Sequence, residues 1–368
     1  MSTRPISFYV DPAWRRDAQH VPLLYPFWGN PLDPKRVPFQ HAIFEHYRFD
    51  QSYYSITDKE DEADLVLMPY AHNTVLRAMP ELFLQCRQIA RRLGKPLLVD
   101  GIGDVEHPVP DDILVLRYGG YRFDKKGNEI FISPYADDLL ETYCGGKLSL
   151  REWHPVPVVG FSGWASLTPA QAARTILKEL PDRLHGIFDS RYRAKKKGVF
   201  FRRQALAILH RSSKITLNAL ARTSYSGHVD THEKDPNVLR REFVDNLLGS
   251  DYGLDIRGDA NQSTRLFEML SLGRIPVIVD TERNFAFDDV LDYSTFSLTV
   301  DFRDIKKLPE RITQFHASLT NEHFQEMQKN ARNAYRNYFR VDALTRPLIA
   351  EIRKRIPPQV KPAENLRN

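Results

Sequence analysis

The stretch that most restricts how this chain can fold runs from Asp251 to Val279, DYGLDIRGDANQSTRLFEMLSLGRIPVIV. Tyr252–Ile256 reads as a short buried strand, 257–262 (RGDANQ) as a polar turn, and Ser263–Leu272 as a helix. Leu266, Phe267 and Leu270 form that helix's packing face, Gly273 ends it, and Ile275–Val279 is a second strand. The turn carries Arg257, Asp259, Ser263, Arg265 and Glu268 to the helix start, where unpaired N–H groups and the macrodipole favour an anion. Two arginines at such a point suit a nucleotide diphosphate.

The same alternation extends along the chain and argues for a mostly parallel α/β architecture. Strands are expected at Ile6–Val10, Ala63–Met68, Pro96–Val99, Ile113–Leu116 and Ile130–Ile132, with helices at Phe39–Tyr47 and Val75–Leu93. Two polar clusters follow strand ends, where open α/β sheets bind ligands: Tyr70, His72 and Asn73, then Asp100, Gly101, Gly103 and Asp104. Proline density rises at His154–Pro157, which marks a linker. Beyond it come a strand at Val158–Phe161, a helix from Thr168 through Leu184, a helix around Gln204–His210, a strand at Lys214–Leu220 and a helix opened by Asp235-Pro236. After the 251–279 stretch, Phe296–Val300 is a strand, Leu308–Leu319 a helix, and Asn321–Ile356 a long helical region with a bend expected near Pro347. Two α/β halves with a cleft between them suggest paired Rossmann-like domains, the GT-B arrangement, with a last helix crossing back. The expected units are residues 1–154, 155–330 and a return helix with a basic tail at 331–368.

A chain of 368 residues exceeds one comfortable core. No run of about 18 apolar residues suggests a membrane span, and the N-terminus lacks the apolar segment of a secretory signal. Cys86 and Cys144 form neither a disulfide framework nor a metal motif, which fits a reducing cytoplasm. The net charge of +5 admits anionic partners. Basic runs at Arg191–Lys197 and near the C-terminus read first as solvated surface, the second also allowing peripheral contact with the inner face of a membrane. Nucleic-acid binding has no zinc-finger, RNP or helix-turn-helix signature behind it.

Arg265 and Glu268 lie three apart on one helix face, and an exposed pair there is worth only about 0–1 kcal/mol. A ligand role gives the same residues more to do. Both arginines can bind a diphosphate through bidentate contacts, and Glu268 can accept both hydroxyls of a ribose.

The run LDIRGDANQSTRLFEMLSLGRIPVIV resembles the C-terminal signature of exostosin-family glycosyltransferases: a strand, an R-G turn, S-x-R-x-x-E, then glycine and I-P-V-I. Leu67–Tyr70, Asp100–Asp104, Ile132–Tyr135 and Val159–Gly163 resemble the family more weakly. The resemblance implies a GT-B enzyme of compact bacterial or viral type, moving a sugar from a nucleotide-diphosphate donor to a hydroxyl with inversion. It makes Arg257, Ser263, Arg265 and Glu268 donor-site residues, joined by Asp259. Arg222, at another strand end, adds charge for the leaving diphosphate, and Gly163 lets backbone approach the phosphates. The acceptor implied is a cell-surface glycan or a lipid-linked precursor.

Inversion needs a general base from the opposite domain, with Asp104 the first candidate and His72 the second. No DxD motif stands in a context suited to a metal-bridged diphosphate, since Asp58–Asp64 precedes a strand as a solvated turn. The expectation is therefore catalysis without metal or cofactor. A non-catalytic nucleotide-sugar or glycan-binding module is the alternative, and a dinucleotide oxidoreductase lacks the G-x-G-x-x-G its fold needs.

Overall fold

Short apolar runs separated by amphipathic helices produce two fully parallel sheets. The computed structural model describes residues 4–103, 107–222 and 235–356. The first sheet uses β1 (Ile6–Tyr9), β2 (Tyr54–Thr57), β3 (Leu65–Leu67), β4 (Leu97–Asp100), β5 (Ile113–Arg117) and β6 (Glu129–Phe131), in the order β2-β1-β3-β4-β5-β6. The second uses β7 (Val158–Trp164), β8 (Thr216–Arg222), β9 (Tyr252–Asp255), β10 (Ile275–Asp280) and β11 (Leu298–Asp301), in the order β11-β10-β9-β7-β8. Every pairing is parallel. The central strands read as unbroken apolar runs because helices cover both faces.

The first sheet carries α1 (Tyr25–Trp28), α2 (Pro38–His46), α3 (His72–Ala78), α4 (Pro80–Leu93) and α5 (Leu139–Cys144). The second carries α6 (Pro169–Lys178), α7 (Leu180–Phe188), α8 (Gly198–His210), α9 (Pro236–Leu248), α10 (Thr264–Ser271) and α11 (Leu308–Ala317). The chain closes with α12 (Asn321–Ala334) and α13 (Val341–Arg353).

Prolines account for most departures from the expected elements. The helix read over Val75–Leu93 is two, because Pro80 opens α4 and Met79 before it leaves the helical region (φ −144°, ψ 48°). The helix read from Thr168 to Leu184 likewise divides at Glu179, with a proline in the first turn of α7. The C-terminal region does the reverse. Pro347 sits inside α13 without breaking it, and the chain turns at Arg340 (φ −66°, ψ 141°) after a π-helical turn at Tyr335–Phe339. β2, at the edge of the first sheet, is not among the strands expected from the sequence.

The final helix crosses back to the first sheet, as expected from the sequence. Tyr335, Phe339, Leu344, Leu348 and Ile352 pack into one apolar core with Phe8, Leu67 and Val99 of the first sheet. Tyr335 Oη donates to Ala136 O at 2.8 Å, and Thr345 Oγ1 accepts from Asp50 N at 2.9 Å. A polar clasp ties the sheets together. Asn261 Nδ2 donates to Gly120 O and Thr281 O, both at 3.0 Å, and Arg122 pairs with Asp280 at 2.7 Å. Among the described residues no helix is long and apolar enough to cross a membrane.

Candidate functional site

The carboxyl ends of the two sheets enclose a cleft of about 700 Å³. From the second sheet it is lined by Ser162–Trp164 at the end of β7, Arg222 at the end of β8, and Gly258–Ala260 with Gln262–Arg265 between β9 and α10. From the first it is lined by the start of α2, Tyr118 after β5, and Pro134, Tyr135 and Asp137 after β6. Six residues read from the sequence as donor-binding converge here: Gly163, Arg222, Asp259, Ser263, Arg265 and Glu268.

The geometry gives each a distinct setting. Ser263 is the N-cap of α10 (φ −142°, ψ 126°), yet its side chain makes no capping hydrogen bond. Arg265 Nη2 donates to Ser162 O at 2.7 Å, and its guanidinium lies 4.7 Å from the centre of the Phe161 ring. Gly163 has φ +149°, and a Cβ there would stand 2.3 Å from Arg265 Nη2. The glycine thus makes room for an arginine, whereas the sequence reading had it make room for the ligand itself. Arg222 Nη2 donates to Leu239 O at 3.3 Å and Glu242 Oε2 at 3.2 Å. Asp259 sits at the lip, 3.3 Å from Lys197 Nζ, and that ammonium covers the Trp164 ring at 5.1 Å.

Glu268 does not pair with Arg265, its neighbour one helical turn away. Arg240, from α9, reaches Glu268 Oε1 at 2.5 Å and lies 3.9 Å from Asp137 Oδ2. Asp137 also accepts from Thr142 Oγ1 at 3.1 Å. Burial pushes the Asp137 carboxyl above its ordinary value, and the Arg240 charge offsets only part of that. A carboxylate from one domain and another from its partner thus flank one guanidinium.

Two expected residues stand away from the cleft, and a third lies outside the described residues. Arg257 is 3% exposed and absent from the lining of the cleft. Its guanidinium donates to Tyr121 Oη, to Ala194 O at 3.2 Å and to Asp259 O at 3.0 Å, so it braces the turn and joins the domains. His72 is buried at the start of α3 with its ring 5.4 Å from Phe83, and burial lowers its pKa; it too does not line the cleft. Asp104 lies outside the described residues.

Asp137, Arg240 and Lys197 were not singled out by sequence reasoning. Asp137 follows the Ile132–Tyr135 run by two residues, and Lys197 ends a basic run taken for plain surface. Arg240 had no signal, since only the fold carries α9 to Glu268. Among the described residues, Trp164 Nε1 and Gln262 Nε2 are buried donors without a partner, and both side chains line the cleft. Such donors are ordinarily satisfied by water or ligand.

Residues 178–315 match the Exostosin GT47 domain, a glycosyltransferase domain. No curated protein matches the chain. Among solved structures, a glycosyltransferase from Rickettsia africae ESF-5 aligns at 9% identity over 96% of this chain and 98% of that one, with a TM-score of 0.35. Anabaena Alr3699/HepE in complex with UDP and glucose aligns at 10% identity over 95% and 98%, also at 0.35. The same protein with UDP-glucose aligns at 11% identity over 95% and 99%, at 0.37.

Proposed function

We propose that this chain, which carries an exostosin-type glycosyltransferase domain at residues 178–315, moves a sugar from a nucleoside-diphosphate donor to a hydroxyl of a cell-surface glycan or lipid-linked precursor. The observation that carries the reading is the convergence of Gly163, Arg222, Asp259, Ser263, Arg265 and Glu268 on one interdomain cleft. The diphosphate lies against the α10 N-terminus, held by its N–H groups, Ser263 and Arg265, with Arg222 and Lys197 supplying further positive charge. Glu268, held by Arg240, takes the ribose hydroxyls. The acceptor lies against the first-domain wall, where Phe39, Tyr118 and Tyr135 offer aromatic faces.

Transfer proceeds by one displacement. The acceptor oxygen attacks the anomeric carbon, the bond to the diphosphate breaks with its electron pair leaving on phosphate oxygen, and the acceptor proton passes to a base. Among the described residues Asp137 is the carboxylate that the first domain brings to the cleft, and the role of base is assigned to it here; Asp104, the first candidate in the sequence, lies outside those residues. The cations and helix dipole stabilise the departing diphosphate without metal or cofactor. The reaction takes place in the cytoplasm, where two unpaired cysteines are at home.

Transfer or donor hydrolysis, followed over a panel of nucleotide sugars with and without EDTA, tests this reading. Turnover is expected to survive the chelator. Its acid limb is expected above the ordinary aspartate range, because a base must be ionised and burial raises the Asp137 pKa. Complete loss with EDTA would overturn the metal-free mechanism, and absence of turnover with every donor would favour a binding module.

A further inference from the structure

The pair α6–α7 turns its apolar side outward. Ile176, Leu177, Leu180, Leu184, Ile187 and Phe188 are exposed by 43, 72, 45, 52, 66 and 92%. They fall at the three- and four-residue spacing of a single helical stripe, continued across the junction between the helices. A helix on an α/β sheet ordinarily lays such a stripe on the core. Here α6 buries no residue and α7 buries only Gly186. The polar side fixes the pair in place instead. Glu179 Oε1 accepts from Lys197 N at 2.7 Å, Arg193 Nε donates to Gly186 O at 2.6 Å, and a Cβ on Gly186 would stand 2.9 Å from Arg193 Cγ.

Charge selects the partner. Residues 169–194 hold five Lys and Arg against three Asp and Glu, a net +2, without the Lys195–Lys197 run that turns to the first domain and the cleft. Arg174 and Lys178 are exposed beside Ile176 and Leu177, and Arg191 and Arg193 are exposed beyond the end of α7. In a two-fold contact with a second copy this face would meet itself and set cations against cations. A surface of lipid phosphates meets it with the opposite sign.

We propose that α6–α7 docks the protein on an anionic bilayer, its apolar side chains entering the interfacial layer and its cations meeting headgroup phosphates. Docking there places the cleft near the membrane, because Glu179 at the helix junction is bonded to Lys197, which lines the cleft. The proposal is independent of sugar transfer, since vesicle binding is read without substrate.

The test is co-sedimentation of the full chain with phosphatidylcholine vesicles, alone or mixed with phosphatidylglycerol. Partitioning onto the mixed vesicles is expected to exceed that onto phosphatidylcholine by about tenfold or more and to fall with salt. Leu184→Gln with Phe188→Gln is expected to weaken it by at least about tenfold, since each exposed side chain loses its apolar insertion. Arg174→Glu with Lys178→Glu is expected to do the same. All these positions are exposed, so Tm and far-UV circular dichroism should match the wild type and separate lost docking from lost folding. Removal of residues 357–368 is expected to leave binding in place. Absent or equal binding to the two vesicle types, variants that bind like the wild type, or binding lost with the tail would each overturn the proposal. So would a dimer in sedimentation velocity that the Leu184/Phe188 variant dissolves.

Discussion

Gly163 and Arg265 act as a unit. The glycine's φ of +149° and the 2.3 Å approach of Nη2 to its missing Cβ leave no space for a side chain while the guanidinium keeps its bond to Ser162 O. Gly163→Ala is therefore expected to displace Arg265 and to weaken nucleoside-diphosphate binding by about tenfold or more, as loss of a charge-assisted hydrogen bond would. Calorimetry on a variant whose circular dichroism is unchanged measures this. Arg257 illustrates what sequence cannot distinguish. An arginine after a strand and before a helix has the same signature whether it holds a ligand or a turn. Only its bonds to Tyr121, Ala194 and Asp259 assign it to the second role.

α10 was legible from its sequence, and the reason is local. Leu266, Phe267 and Leu270 recur at helical spacing and are fully buried, and Gly273 supplies the left-handed residue (φ +65°) after the last turn. Its N-terminus carries a contrast that separates capping from ligand binding. Thr168 forms a complete capping box on α6, with Gln171 as its partner, whereas the Ser263 side chain caps nothing. Thr168→Ala is expected to cost about 1 kcal/mol in thermal unfolding. Ser263→Ala is expected to leave Tm unchanged and to lower affinity for a nucleoside diphosphate; a Tm loss equal to that of Thr168→Ala would contradict the assignment. The split helices were less legible. The periodicity of Val75–Leu93 continues through Pro80, and a proline is tolerated in a first turn, so pattern alone does not say where one helix stops.

At the scale of the molecule, alternating strands and helices revealed two parallel sheets and a returning helix. The partners made between the sheets, Arg240 with Glu268 and Asp137 above all, depend on the way the sheets face each other and leave no trace in local sequence. Asp100, at the end of β4, shows the cost of polar groups at buried strand ends. Burial raises its carboxyl from 3.8 to about 6, so the folded state binds its proton more tightly than the unfolded chain. The associated stability is present below about pH 4 and lost as pH rises through about 6, on the order of 3 kcal/mol in all. Asn at this position can still accept from Ile102 N, as Asp100 Oδ1 does at 2.9 Å. Asp100→Asn should therefore be more stable than the wild type at pH 7 and lose that advantage at pH 4, as urea titrations at the two values would register.

The central claim is that the interdomain cleft holds a nucleoside diphosphate against the start of α10. Isothermal titration of uridine and guanosine diphosphates into the wild type, Arg265→Ala and Asp137→Asn measures it most directly. The account predicts that the wild type binds at least one of them. It also predicts that Arg265→Ala loses that affinity by about tenfold or more while Asp137→Asn, whose part is in transfer, retains it. Equal affinity in the wild type and Arg265→Ala would contradict the account.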